Sequence, residues 1–486
     1  MRVDFGAQRF IVMKFSLIKT LHEDFAKLSG DYNPIHMDEN EARLTSYGFN
    51  IAHGVNVALM ALETCLLSEY FYPEDFHLAS AKFKFLKPVY VGDELKVLFD
   101  NNMSREASIS VVSNEVEVIR IRLAKRKAEP LIPLYLDPEN SVRPRIREPS
   151  EYDVRLAGDF EKNLSLEVDA SLMRSMFSRC VGWLGEVAIA SIIQLSTIVG
   201  MEWPGKNSLL SEIKVTFTDN PLMRGRLRVQ ARSTNAEFGI TQISITGSSI
   251  KATVYAFFRP KRVDQIASAE LQGKVPSDKF VNQKALIVGG SRGIGEVCAK
   301  ILAAGGADVT ITYRASAESV LEMVEEIRRF GGTANACELD VTDIASLESN
   351  AKRWSDLTHL YYFASPPIFV RRDSQFNTGL LDTFMNFYVI NFSRVVCEAS
   401  KLTGRLRVFY PSTIAINEGS ADLLEYSIAK EAGEIAAAKL SAALDNVTVS
   451  IARLPRILTD QTNTIVYAES QDATTVMLPI LIELNG

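Results

Sequence analysis

Apolar and polar positions fall into three successive patterns along the 486 residues. In the first, the apolar segment "IAHGVNVALMALETCLLSEYF" (51–71) has helical length and no alternation. Strand-like runs follow at 78–100, in "ASISVVSN" and in "VEVIRIRLA", with β-branched residues and short turns between them. One long central helix followed by antiparallel strands predicts a sheet wrapped around a helix. The second pattern repeats the layout, with an apolar helix at 170–200 and then strand, turn and strand at 209–232. Ser80, Pro88, Gly92, Leu95 and Val97 align with Ser211, Pro221, Gly225, Leu227 and Val229, at an offset that stays between 131 and 133. That constancy points to a diverged internal duplication. The alternative is two unrelated units that share a turn style.

The third pattern differs. "KALIVGG" is a continuous apolar run, the signature of a strand buried on both faces of a parallel sheet. Strand-like and helical segments then alternate through "ADVTITYR", "ESVLEMVEEIRRFG", "NACELDV", "HLYYFAS", "RLRVFYPS" and "NVTVSIARL". The expected architecture is therefore two α+β units followed by a doubly wound α/β domain. Boundaries are expected at 1–130, 151–262 and 281–486, with a linker at 131–150 that holds four prolines and a second linker at 263–280.

Composition narrows the function classes. A hydrophobic share of 47% and a charged share of 23% describe ordinary globular protein. The net charge of −6 and pI of about 5.7 argue against nucleic acid or an anionic membrane as the main partner. The basic runs at 120–127 and 143–147 read as strand ends and linker. Five cysteines lie scattered with no CxxC or Cys/His pair at ligand spacing, which predicts reduced thiols, no metal site and a cytoplasmic location. No signal-peptide core opens the sequence, and no apolar run reaches about 18 residues, so no membrane span is expected.

Candidate chemistry begins at "DYNPIHMD" (31–38). Pro34 fixes its own φ and biases Asn33 away from helix, so the two make a bend. Asp31 and His36, on either side of it, could grip one water, with His36 suited to general-base work and Asp31 to orienting the water or returning a proton. The competing reading is a turn and helix cap without chemistry. Gly54, in "AHGVN", precedes the apolar helix, and its N–H at a helix N-terminus could bond a developing oxyanion. The composite motif "DYNPIHMD…YGFNIAHG" resembles the MaoC-like (R)-specific enoyl-thioester hydratases, which have the hot-dog fold; the resemblance covers about residues 10–130. It implies that Asp31 and His36 are the catalytic pair, that Gly54 contributes to the oxyanion hole, and that Asn33 and His53 are structural. It departs at 59–62, where "LMAL" replaces a small residue or Ser. The second pattern contains no histidine, since the five lie at 22, 36, 53, 77 and 359. It is expected to be a degenerate hot-dog half that packs against the active one, as in double hot-dog hydratases, or else an independent binding module.

In the third pattern "GGSRGIG" directly follows a strand and opens a helix, so Gly289, Gly293 and Gly295 let backbone N–H groups approach a pyrophosphate. The spacing resembles the short-chain dehydrogenase/reductase family, over about residues 282–486, with a Rossmann fold. Ser291, Arg292 and Ile294 belong to that loop. Where NAD-preferring relatives place a carboxylate, this chain has Tyr313 and Arg314; with Arg292 that suggests a 2′-phosphate and hence NADPH. The resemblance adds Asp340 and Val341 at the adenine and Pro455, Ile457 and Thr459 in "PRILT". "EYSIAK" supplies Tyr426 as proton donor to a carbonyl oxygen and Lys430, one turn on, to lower its pKa and hold the nicotinamide ribose. Asn391 matches the family's helix asparagine. The catalytic hydroxyl is expected at Ser412, with Thr413, at the usual spacing of 13 before the tyrosine, as the alternative. Val288, Ser365 and Arg456 depart from the family pattern, and the chain ends about 30 residues past Pro455, short of the family's last strand. These departures keep a non-reactive relic, or a non-catalytic scaffold, as the alternative.

The two chemistries act on one substrate type, since reduction of a 3-oxoacyl thioester gives the 3-hydroxyacyl thioester that a hydratase dehydrates. The expectation is a bifunctional enzyme of acyl-CoA or acyl-carrier-protein thioesters, forming a homo-oligomer.

Overall fold

A computed structural model describes residues 2–5, 8–45, 47–71, 77–100, 106–126, 132–137, 139, 141–153, 159–219, 223, 225–235, 238–314, 317–369, 376–464 and 468–485. Two units separate: Met1–Arg43 with Phe49–Lys261, and Leu44–Gly48 with Arg262–Gly486.

The alternating runs of the first unit form strands β1 (Arg2–Phe5), β2 (Gln8–Ser16), β3 (Leu78–Phe85), β4 (Glu94–Asp100), β5 (Glu106–Ser113), β6 (Val116–Lys125), β7 (Phe160–Ser165), β8 (Ser208–Phe217), β9 (Arg226–Asn235), β10 (Ile240–Thr246) and β11 (Ile250–Phe258). They make one sheet in the order β1-β2-β4-β5-β6-β3-β8-β11-β10-β9-β7. The run β2-β4-β5-β6-β3 is mirrored by β8-β11-β10-β9-β7, which is the symmetry a duplicated sequence predicts. At the β3–β8 junction Lys82 pairs with Lys214. Their separation, 214 − 82 = 132, equals the repeat offset, so each lysine faces its own counterpart on the pseudo-twofold axis. Pro221, one of the aligned positions, lies outside the described residues.

Helices α1 (Lys19–Ser29), α2 (Pro34–Met37) and α3 (Gly54–Leu66) belong to the first copy. Helix α3 buries nearly its whole circumference, as a central helix must. The apolar stretch at 170–200, expected as one helix, is three: α4 (Ala170–Met176), α5 (Ser178–Leu184) and α6 (Glu186–Thr197), the last running into a π-turn at Ile198–Glu202. The break between α5 and α6 falls at Gly185, whose φ of +84° is left-handed and outside any helix. Among the described residues no single helix is long and apolar enough to cross a membrane.

In the second unit, β12 (Lys284–Val288), β13 (Asp308–Tyr313), β14 (Thr333–Glu338), β15 (His359–Tyr362), β16 (Leu406–Thr413) and β17 (Val447–Leu454) form a parallel sheet in the order β14-β13-β12-β15-β16-β17. The unbroken apolar run in β12 now has its reason. Ala285 and Ile287 enter one core cluster and Leu286 and Val288 the other, so both faces of the strand are covered. Strand order reverses at β12, and the crevice beyond the ends of β12 and β15 is where such sheets bind ligands. Helix α7 (Gly293–Ala304) starts there; α8 (Leu424–Ala443) and α9 (Ala473–Leu484) follow. No seventh strand occurs among the described residues of this sheet.

Candidate active sites

In the first unit, Pro34 opens the one-turn helix α2 and Asn33 caps it, its side-chain oxygen accepting from the Ile35 N–H at 3.2 Å. The Asn33 amide nitrogen faces away from its own loop and reaches carbonyls of Gly200 (2.8 Å), Gly205 (3.1 Å) and Lys206 (3.2 Å), all in the second copy. The turn is thus held from outside as well as from within.

His36, half-buried, donates Nδ1–H to the Ile51 carbonyl at 2.7 Å, which leaves Nε2 with a free lone pair. Burial, against that hydrogen bond and helped by the Arg259 charge, pulls its pKa down to about 4, so the ring is neutral near pH 7. Asp31 is buried. Burial pushes its pKa up to about 6, although Ser196 Oγ donates to Oδ2 at 2.7 Å and the Asn33 N–H to Oδ1 at 3.2 Å. His53 donates from Nε2 to the Asp31 carbonyl oxygen at 2.9 Å, and its ring lies 4.0 Å from that of His36. His22 donates to the His36 carbonyl oxygen at 2.9 Å. One polar atom from each of Asp31, His36 and His53 lies within 4.8 Å of the other two, the span a single hydrogen-bonded water bridges. That spacing alone would also admit a small cation, but His53 Nε2 is committed to the Asp31 carbonyl.

Gly54 is the first residue of α3, so its N–H has no carbonyl one turn back. A Cβ there would stand 2.8 Å from the Phe85 ring, which the glycine lets in close. The second copy brings a matching feature, because a Cβ on Gly200 would stand 2.3 Å from Asp31 Oδ1. Ser196 and Gly200 escape sequence reasoning. The duplication by itself suggests only a packing partner, yet its Ser196 hydroxyl donates to Asp31. His22 and His53 left one signal: with His36, three of five histidines fall between positions 22 and 53.

In the second unit the glycine loop has the cradle its sequence predicts. Gly289 has φ +78°, and a Cβ there would meet the Ala364 nitrogen at 2.6 Å. On Gly295 it would meet the Gly289 carbonyl oxygen at 2.5 Å. Arg292 precedes α7 at its N-cap position, Thr459 sits beside Gly293, and exposed Arg314 follows Tyr313 at the end of β13. Asp340 turns its carboxylate onto Thr342, accepting from N–H at 2.8 Å and Oγ1 at 2.6 Å, and Val341 is buried.

Tyr426 and Lys430 stand one turn apart on α8, and Asn391, buried, ends a π-turn at Asn386–Asn391, a distortion common at functional sites. Lys430 donates to the Pro411 carbonyl at 2.7 Å and lies 4.1 Å from the centre of the Tyr388 ring. Burial pulls it down to about 7, opposed by the Glu434 charge. Burial pushes Tyr426 up to about 12, opposed by a hydrogen bond to Thr413. Ser412 is corrected here as the hydroxyl facing Tyr426. It donates to Glu434. Thr413, the next residue of β16, is the one that hydrogen-bonds the tyrosine. Ser365, a departure from the family pattern, hydrogen-bonds the Tyr388 hydroxyl at 2.6 Å and so steadies the ring that carries Lys430.

The family model for MaoC-like domains matches residues 12–120, and that for short chain dehydrogenases matches 283–469. The chain joins a MaoC-like domain to a short-chain dehydrogenase domain. Its relatives include hydroxynaphthalene reductase arp2 of Aspergillus fumigatus, 46% identical over 65 residues, which are 13% of this chain and 24% of that protein. Trihydroxynaphthalene reductase PfmaI of Pestalotiopsis fici is 38% identical over 84 residues, 17% of this chain and 27% of that one. The matches thus span about a quarter of those reductases. A short-chain dehydrogenase structure from Burkholderia cenocepacia, in complex with NADP, covers 42% of this chain and 91% of its own, with 26% identity and a TM-score of 0.39. The MaoC-like domain holds Asp31, His36 and Gly54; the dehydrogenase domain holds the glycine loop, Thr413, Tyr426 and Lys430.

Proposed function

We propose a bifunctional enzyme of acyl-thioester metabolism. The MaoC-like domain adds water to, or removes it from, (R)-3-hydroxyacyl and enoyl thioesters, and the dehydrogenase domain reduces 3-oxoacyl thioesters with NADPH. The acyl group rides on CoA or a carrier protein. The observation that carries the hydratase half is the meeting of the Asp31 and His36 polar atoms within 4.8 Å, in the same domain as the helix-opening N–H of Gly54.

In hydration, neutral His36 Nε2 takes one proton from the water as its oxygen bonds Cβ. The Cα–Cβ electron pair moves onto the thioester oxygen, where the Gly54 N–H bonds the growing charge. The imidazolium returns the proton to Cα, which restores the carbonyl. Asp31, ionised, holds the water by its other hydrogen and stabilises the imidazolium. Dehydration is the reverse.

In the dehydrogenase domain the glycine loop fits a dinucleotide pyrophosphate, because it opens the helix α7 and its tight backbone packing excludes a Cβ at Gly289 and Gly295. Arg292 and Arg314, with no carboxylate at the end of β13, favour the 2′-phosphate of NADPH. The nicotinamide, when bound, supplies the reducing equivalent. Tyr426 gives its proton to the ketone oxygen, Thr413 orients that hydroxyl, and the Lys430 ammonium favours the tyrosinate left behind. The relatives named as naphthalene reductases fit the same ketone-reducing class.

The test is a panel of enoyl and 3-oxoacyl thioesters with wild type, Asp31→Asn and Tyr426→Phe. Hydration should be lost only in the first variant and reduction only in the second. Unchanged hydration by Asp31→Asn would remove the hydratase assignment.

A further inference from the structure

One network in the second unit has no part in these steps. Arg453 grips both oxygens of Glu434, from Nε at 2.8 Å and Nη2 at 2.7 Å, while its Nη1 donates to Asn417 Oδ1 at 3.0 Å. Ser412 donates to the same carboxylate. Glu434 stands one turn beyond Lys430 on α8 and is only 17% exposed.

Lys430 is buried, and a buried ammonium is costly unless something compensates it. The groups that face it are the Pro411 carbonyl, the rings of Tyr388, Tyr410 and Tyr426 at 4.1, 5.1 and 6.0 Å, and Glu434. Burial holds all three tyrosines in their neutral form, so Glu434 supplies the one full negative charge among these groups. A glutamate free to swing into water would lose that influence to solvent screening. The two-pronged Arg453 contact and the Ser412 hydroxyl prevent the swing.

The geometry points to Glu434, clamped by Arg453 and Ser412, as the positioning residue that keeps Lys430 cationic and thereby sets the pH range over which the dehydrogenase domain holds its dinucleotide. This rests on the reductase reading above. Ser412 thereby acts through Glu434 on Lys430 and leaves Tyr426 to Thr413.

The experiment uses the full chain as wild type, Glu434→Gln and Glu434→Asp. NADPH affinity is followed by fluorescence from pH 6 to 9, with reductase kcat/KM measured alongside. An ammonium is charged below its pKa, and removing a neighbouring carboxylate lowers that pKa, so the alkaline loss moves to lower pH. Glu434→Gln should bind NADPH within about twofold of wild type near pH 6 and on the order of tenfold more weakly at pH 8, the effect of about one pKa unit. Glu434→Asp, which keeps the charge, should recover most of it. Hydration of a crotonyl thioester by the other domain serves as the folding control and should not change. Superimposable pH profiles for Glu434→Gln and wild type would overturn the proposal. A wild-type chain that neither binds NADPH nor reduces would instead bring down the reductase reading and this inference with it.

Discussion

Asp31→Asn should stabilise the protein while abolishing hydration, and the gain should depend on pH. Burial lifts the Asp31 pKa from 3.8 to about 6. About two units at ~1.36 kcal/mol each make a cost of roughly 3 kcal/mol for carrying the ionised carboxylate in the fold. The sign follows from a folded-state pKa above the unfolded one. Below about pH 4 both states hold the proton and the cost is absent. It grows as pH rises, and is complete above about pH 6. Asparagine carries no charge at any of these pH values. Its carbonyl oxygen can still accept from the Asn33 N–H, and the Ser196 hydroxyl can rotate to accept from its amide. Thermal unfolding of both proteins from pH 4 to 8 measures the difference. The variant should melt at about the wild-type temperature at pH 4 and roughly 5–10 °C higher at pH 8. A gap that is constant with pH, or a lower Tm for the variant at pH 8, would refute the assignment of a strained buried carboxylate.

Four further outcomes follow from the same geometry. Ser196→Ala removes the hydroxyl that favours ionised Asp31, so the acid limb of hydration, near pH 6 in wild type, should move to higher pH in a rate–pH profile. Gly200→Ala puts a Cβ 2.3 Å from Asp31 Oδ1 and should lower hydratase kcat by about a hundredfold, while NADPH-dependent reduction by the other domain persists. Thr413→Ala should cost reductase kcat about a hundredfold or more, on the scale of a lost proton-transfer partner, and Ser412→Ala much less near pH 6. Asn56, fully buried in α3, has no hydrogen-bond partner for either side-chain polar atom among the described residues, so Asn56→Leu should raise stability by about 1–3 kcal/mol in denaturant unfolding.

How much of this was legible depended on whether a feature is local. The loop around Asp31 and the glycine loop could be read because their chemistry lies within a few residues of chain. The β12 run could be read because burial on both faces removes alternation. The helix break at Gly185 could not, since apolar residues flank it on both sides and only its φ of +84° marks it. Ser196 and Gly200 reach Asp31 across more than 160 residues, brought there by the pairing of β3 with β8, so nothing near either end announces them. Ser412 and Thr413 are adjacent, and spacing admitted both. The choice came from the Thr413 bond to Tyr426 and from a glutamate one turn past Lys430, which the motif does not include.

One measurement tests the coupled chemistry directly. Wild type, Asp31→Asn and Tyr426→Phe are each mixed with NADPH and a 3-oxobutyryl thioester, and the thioesters formed are identified by mass spectrometry. Wild type should yield both the 3-hydroxybutyryl and the crotonyl thioester, Asp31→Asn should stop at the 3-hydroxybutyryl thioester, and Tyr426→Phe should form neither. Crotonyl thioester from Asp31→Asn, or no reduction by wild type, would contradict the account.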